Sequence, residues 1–84
     1  LRKEAAKRRQ ALAPLRKKLT QAESKVERLE GEKEKLQKVM ADPALYEDEK
    51  DKLLSLQKQL ITLEKDLARA EDNWMRLQVE WDQA

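Results

Sequence analysis

The chain of 84 residues has no cysteine and no histidine, and this pair of absences removes more chemistry than any other feature of its composition. There is no disulfide to form, no usual zinc ligand and no usual nucleophile-and-base pair. One glycine and two prolines leave nothing from which to build a glycine-rich phosphate loop. No run approaches the roughly 18 apolar residues that a membrane helix needs, and the charged first residues lack the apolar stretch of a signal peptide, so the expectation is a soluble, cytoplasmic protein with no membrane partner. With 43% of its side chains charged, a chain this short cannot enclose the core of an enzyme-sized domain. Catalysis in this segment is not expected, nor a cofactor or metal held by it. The acidic stretch Glu47, Asp48, Glu49 and Asp51 lacks the spacing and turn glycine of a calcium loop and reads as carboxylates favouring the start of a helix.

What the sequence does have is two seven-residue apolar repeats on either side of Asp42-Pro43. The first runs Leu12, Leu15, Leu19, Ala22, Val26, Leu29, Leu36 and Met40, with Lys33 as a charged exception. The second runs Tyr46, Leu53, Leu56, Leu60, Leu63, Leu67, Ala70, Trp74, Leu77 and Trp81. Steps alternating between three and four residues are the seam of a helix packed on another helix, and the obvious partner of each stripe is the other one. The fold class is therefore all-α, a two-helix antiparallel coiled-coil hairpin paired within one chain and expected to be monomeric. A register in which facing numbers sum to about 89 sets Leu19 against Ala70, Ala22 against Leu67, Leu15 against Trp74 and Val26 against Leu63, so that both alanines meet leucines. It would also place Arg16 near Glu71 and Lys25 near Asp66, with an unfavourable Glu23 near Glu64. Arms of roughly 30 residues would reach about 45 Å.

Punctuation sets the organisation. Pro14 marks either the first position of the packed helix or a bend within a longer one. Residues 1–13 are read as a basic helical extension or the end of a linker, and 14–84 as the hairpin, with its turn at 42–48. Because Leu1, Ala5, Arg8 and Leu12 keep the repeat, a helix that runs on through Pro14 is preferred. Asp42 before Pro43 reads as an N-cap and first-turn proline, with Leu45 and Tyr46 covering the tip. Gly31 falls on the outward side and is expected to weaken the helix by roughly 1 kcal/mol against alanine without touching the seam.

Charge is distributed unevenly. Residues 1–19 carry eight bases, Arg2, Lys3, Lys7, Arg8, Arg9, Arg16, Lys17 and Lys18, against Glu4 alone, a balance of +7, while residues 20–84 carry 11 bases and 16 acids, a balance of −5. Such a cluster either solvates a helix or is the footprint of a phosphate-rich partner, DNA, structured RNA or the ribosome; its density brings the second reading level with the first. Trp74 reads as core. Trp81, expected beside Arg8, is either a cation–π contact closing the seam or a base-stacking platform. Lys33 is assigned a structural role, polar within the seam or with its ammonium reaching water.

These residues resemble a known family. The basic segment leading into Pro14-Leu15-Arg16-Lys17-Lys18-Leu19, the turn Asp42-Pro43-Ala44-Leu45-Tyr46-Glu47-Asp48 and the terminal Asn73-Trp74-Met75-Arg76-Leu77 look like the C-terminal domain of the ABC-F ATPases, the Uup and YheS branches fitting best. The resemblance implies a cytoplasmic protein with two tandem ATP-binding cassettes, using ATP and Mg outside this segment, that acts on the ribosome. It also implies a hairpin of the DNA-binding kind, with the basic run around Pro14 as contact surface. Two other readings compete: a tRNA-binding arm like those of some aminoacyl-tRNA synthetases, and a structural spacer or dimerisation element whose seam pairs between chains.

Overall fold

A computed structural model describes all 84 residues. Three helices follow one another: α1 (Arg2–Met40), the four-residue α2 (Ala44–Glu47) and α3 (Lys50–Gln83). The chain is all-helical and elongated, 69 × 15 × 14 Å, with α1 and α3 lying along each other as a hairpin-like pair. The rod exceeds the expected reach because α1 does not stop at Pro14. It continues across it for 39 residues, giving a helix of about 58 Å.

The turn is built as its residues suggest. The Ala44 N–H donates to Asp42 Oδ1 at 3.0 Å, while the Asp42 and Pro43 carbonyls accept from Leu45 N (3.2 Å) and Tyr46 N (3.1 Å). Asp42 thus caps a helix whose first position is Pro43, where the missing N–H costs nothing. The single turn of α2 folds back on α3, and Leu45 is the most buried residue of the chain at 2% exposure. Tyr46, expected at the tip and in the seam, is exposed.

Every other seam position is buried or half-buried, and the central ones are the most enclosed: Ala22, Val26, Leu29, Leu67 and Ala70 are 5–8% exposed. The register differs from the expected one. Val26, Leu29, Leu67 and Ala70 form one buried cluster, with Leu63 and Trp74 packed against it. At a sum of about 89, Ala70 would lie ten residues of α1, about 15 Å, from Leu29. A common cluster requires a sum of about 96, one heptad further, which pairs Val26 with Ala70, Leu29 with Leu67, Ala22 with Trp74 and Leu36 with Leu60. The reason lies in the turn: α2 packs on the beginning of α3 and occupies about one heptad of its stripe, so α1 first meets α3 near Leu56. Size matching could not separate the two registers, because alanines meet larger side chains in both. Lys33, half-buried, consequently faces Leu63 rather than Leu56.

Flanking charges follow the corrected register. All four salt bridges are local, between residues three or four apart: Arg28–Glu32 (3.8 Å), Lys38–Glu34 (3.5 Å), Lys52–Glu49 (3.7 Å) and Arg76–Asp72 (2.9 Å). The expected Arg16–Glu71 and Lys25–Asp66 pairs do not form. By the corrected register Glu23 instead falls alongside Glu71, and Glu30 alongside Glu64, so no salt bridge crosses the seam and the apolar layers carry most of the helix pairing.

Candidate nucleic-acid interface

All eight bases of the first nineteen residues lie on α1. The helix exists here for local reasons: alanine, arginine, lysine and leucine dominate residues 1–13, and all four rank among the strongest helix formers. Each of the eight side chains is exposed and none enters a salt bridge, so their charges are free for a partner. One is tied down: Arg8 donates from Nη2 to the Ala84 carbonyl at 2.9 Å, joining the open ends of the two long helices. That oxygen is among the carbonyls that α3 leaves unpaired at its C-terminus, where a cation is favoured.

The bases form a collar, not a flat patch. At seven residues per two turns, Arg2, Arg9 and Arg16 share one row along α1, Lys3 and Lys17 a second, and Lys7, Arg8 and Lys18 lie on other sides. The Thr20 hydroxyl donates back to the Arg16 carbonyl at 3.0 Å, closing the collar's inner end within the helix. From α3 the register brings Glu80 and Asp82 to the inner part of the collar, near Arg16, where the expected register would have set them beside Lys7 and Arg9.

The two tryptophans occupy different surroundings. Trp74 is half-buried against the central cluster, as expected of a core residue, and edges a shallow groove with Glu23, Val26, Glu27 and Glu30. Trp81 lies half-buried in a second groove, lined by Arg9, Leu12, Ala13 and Arg16. Its cationic neighbours are therefore Arg9 and Arg16, whereas Arg8, expected to cover it, goes to the chain end. Reasoning from the sequence missed this pairing because it depends on the heptad of register that α2 takes up. The open end thus has an indole sharing one groove with two arginines, with further positive charge along the same helix, which is chemistry suited to phosphates and to flat π-systems.

No group of acidic side chains is placed to hold a metal ion, and no helix is long and apolar enough to cross a membrane. The grooves along the rod are shallow and mostly polar, including the one between Glu32, Leu36 and the Ser55–Asp66 stretch of α3. The chain matches the ABC transporter C-terminal domain over residues 4–78, and it belongs to that family. The match supports a C-terminal domain of an ABC-F type protein, and such domains are non-catalytic regions of ABC proteins. No curated protein and no solved structure matches the chain.

Proposed function

We propose that this domain is the nucleic-acid-binding coiled-coil arm of a cytoplasmic ABC-F ATPase with tandem cassettes, and that it tethers the ATPase to DNA or ribosomal RNA. The supporting observation is the exposed, unpaired basic collar, Arg2, Lys3, Lys7, Arg8, Arg9, Arg16, Lys17 and Lys18, at one end of a 69 Å rod. Because the collar surrounds the helix and does not line up one face for a groove, its contacts are with phosphates and respond to shape and charge more than to sequence. ATP and Mg belong to the cassettes. The domain's share is local concentration: a tether holding the ATPase near its target raises the effective concentration of the second binding event without forming a new catalytic contact. Residues 1–13 serve as the stretch that leads into the hairpin of 14–84.

The experiment is a salt titration of binding to branched DNA, tRNA and ribosomes. Each phosphate contact adds close to one unit to the slope of log affinity against log salt, so engagement of five or six of the eight bases gives a slope near −5. Replacing Arg8, Arg9, Lys17 and Lys18 together by glutamate is expected to abolish binding at moderate salt while leaving helicity intact. Unchanged binding in that variant refutes the proposal. A preference for tRNA with contacts along the middle of the arm would replace it by the tRNA-arm reading.

A further inference from the structure

One flank of the hairpin is charged in two halves. In a helix wound on a partner, a step of seven residues returns to the same flank. Along α1 the row that borders both tryptophan grooves reads Arg2, Arg9, Arg16, Glu23, Glu30 and Gln37. Bases fill its first half and acids its second. On the acidic half Glu27 and Glu34 stand one row further round, and Glu64 and Glu71 of α3 lie alongside Glu30 and Glu23 by the observed register. Arg9, Arg16, Glu23 and Glu30 are all exposed, and none makes a salt bridge.

Beyond the Glu64 and Glu71 row that borders this one, α3 carries an apolar stripe with the same spacing, Leu54, Ile61, Ala68 and Met75. It lies away from the opposite flank, where Lys18, Gln21, Lys25 and Asn73 share a groove. Leu54, Ile61 and Met75 are 54–60% exposed although the central seam of the same helix is nearly closed. A stripe repeating every seven residues is the mark of a helix facing another helix along its length.

We infer that this flank is the contact surface for a second copy of the chain, lying alongside the first in the opposite direction. A two-fold axis midway between Arg16 and Glu23 sets Arg16 against the second copy's Glu23 and Arg9 against its Glu30, and by symmetry forms the same two pairs again. The contact is self-complementary and closes on two copies, without generating a filament. Ala6 lies at the height of the second copy's Ile61, small against large. The parallel arrangement of the same faces would stack Glu23, Glu30, Glu64 and Glu71 on their own counterparts and is excluded by repulsion. The hairpin still folds within one chain; the monomer expected from the sequence becomes the dissociated half of a salt-sensitive pair. Because Arg9 and Arg16 also belong to the basic collar, pairing withdraws two of eight cations from a nucleic-acid partner.

Sedimentation equilibrium of the 84-residue chain, freed of nucleic acid, tests this. The expected result is a monomer–dimer equilibrium below about 0.5 mM protein whose dissociation constant rises about tenfold between roughly 50 and 500 mM NaCl. The double variants R9E/R16E and E23R/E30R are each expected to be monomeric. Mixed in equal amounts they are expected to form a heterodimer with about the affinity of the unaltered pair, because the same four opposite-charge pairs are then restored. Circular dichroism checks that both remain helical, and the salt dependence of the unaltered chain stands independently of the variants. A chain that stays monomeric at low salt overturns the inference. So does a dimer that survives in both variants, which would be a seam exchanged between chains, or a mixture of helical variants that fails to associate.

Discussion

The middle of the hairpin and its open end share the same two helices and the same seven-residue repeat, yet they are put to opposite uses. In the middle, Val26, Leu29, Leu67 and Ala70 are 5–8% exposed, with the half-buried Lys33 as the one charge at the edge of the cluster. At the open end the seam residues Leu12, Leu15 and Trp81 are only half-buried, and eight cations surround them without ion pairs. Two helices have no third element to cover a layer, so burial depends on how completely each pair of side chains shields the other. Small-to-large pairs such as Val26 with Ala70 let the backbones approach and exclude water. A leucine against a tryptophan holds the helices further apart and leaves both rims wet. Burial and unpaired positive charge are thereby lodged in different thirds of the rod.

That contrast is broken most directly by making one truncation in both regions. Leu29→Ala removes a nearly enclosed side chain from the central cluster and is expected to lower the unfolding free energy by about 3 kcal/mol. Leu12→Ala removes the same atoms from a half-wet layer and is expected to cost about 1 kcal/mol. Urea denaturation followed by circular dichroism measures both. Equal losses would mean that the open end is packed as tightly as the middle.

The second prediction concerns the same end and has the opposite sign. Pro14 lies inside α1, where it removes one backbone hydrogen bond and crowds the preceding turn. Pro14→Ala is expected to stabilise the chain by about 2 kcal/mol if the residues before it fold together with the hairpin. Proline at the first position of a helix would give no such gain. The unfolding free energy of this variant therefore distinguishes a continuous helix from a hairpin that begins at Pro14 with an independently fraying arm.

At the tip, the Asp42 carboxylate accepts the Ala44 N–H at 3.0 Å, and no other side chain caps a helix here. Asp42→Ala is expected to cost about 1 kcal/mol in the same measurement. A smaller loss would show that the burial of Leu45 suffices to hold the turn.

These contrasts explain what could be read from the chain and what could not. The a/d spacing from Leu12 to Met40 and from Leu53 to Trp81 determines helix, face and pairing, because a partnered helix must repeat every seven residues wherever it is covered. The cap at Asp42 was legible because its chemistry is local. The register was not: sums of 89 and 96 differ by a whole heptad, satisfy the same periodicity and match sizes equally well. The choice between them depends on how α2 folds against α3, a tertiary fact carried by Leu45 and invisible to spacing. The error passed on to the candidate site, moving Trp81 from Arg8 to Arg9 and Arg16 and replacing the expected Arg16–Glu71 pair with facing glutamates. The eight bases themselves were legible, since exposure follows from charge; their spread into a collar follows from helical phase.

The smallest expected effect lies two residues from the largest. Gly31 belongs to the middle of α1 yet faces away from the seam, and a methyl group added there meets nothing within 4 Å. Its φ is not positive, so no left-handed conformation requires glycine at this position. Gly31→Ala should therefore restrict the unfolded chain and improve helix propensity without a packing cost, a gain of about 0.5–1 kcal/mol. Leu29→Ala and Gly31→Ala both place an alanine in the same turn of the same helix, with opposite signs expected. The difference isolates the worth of the face that α3 covers from the worth of the helix itself. Were Gly31→Ala to destabilise the chain, the outer side of α1 would have to be in contact with something, and sedimentation of that variant beside the unaltered chain would show whether a second copy provides it.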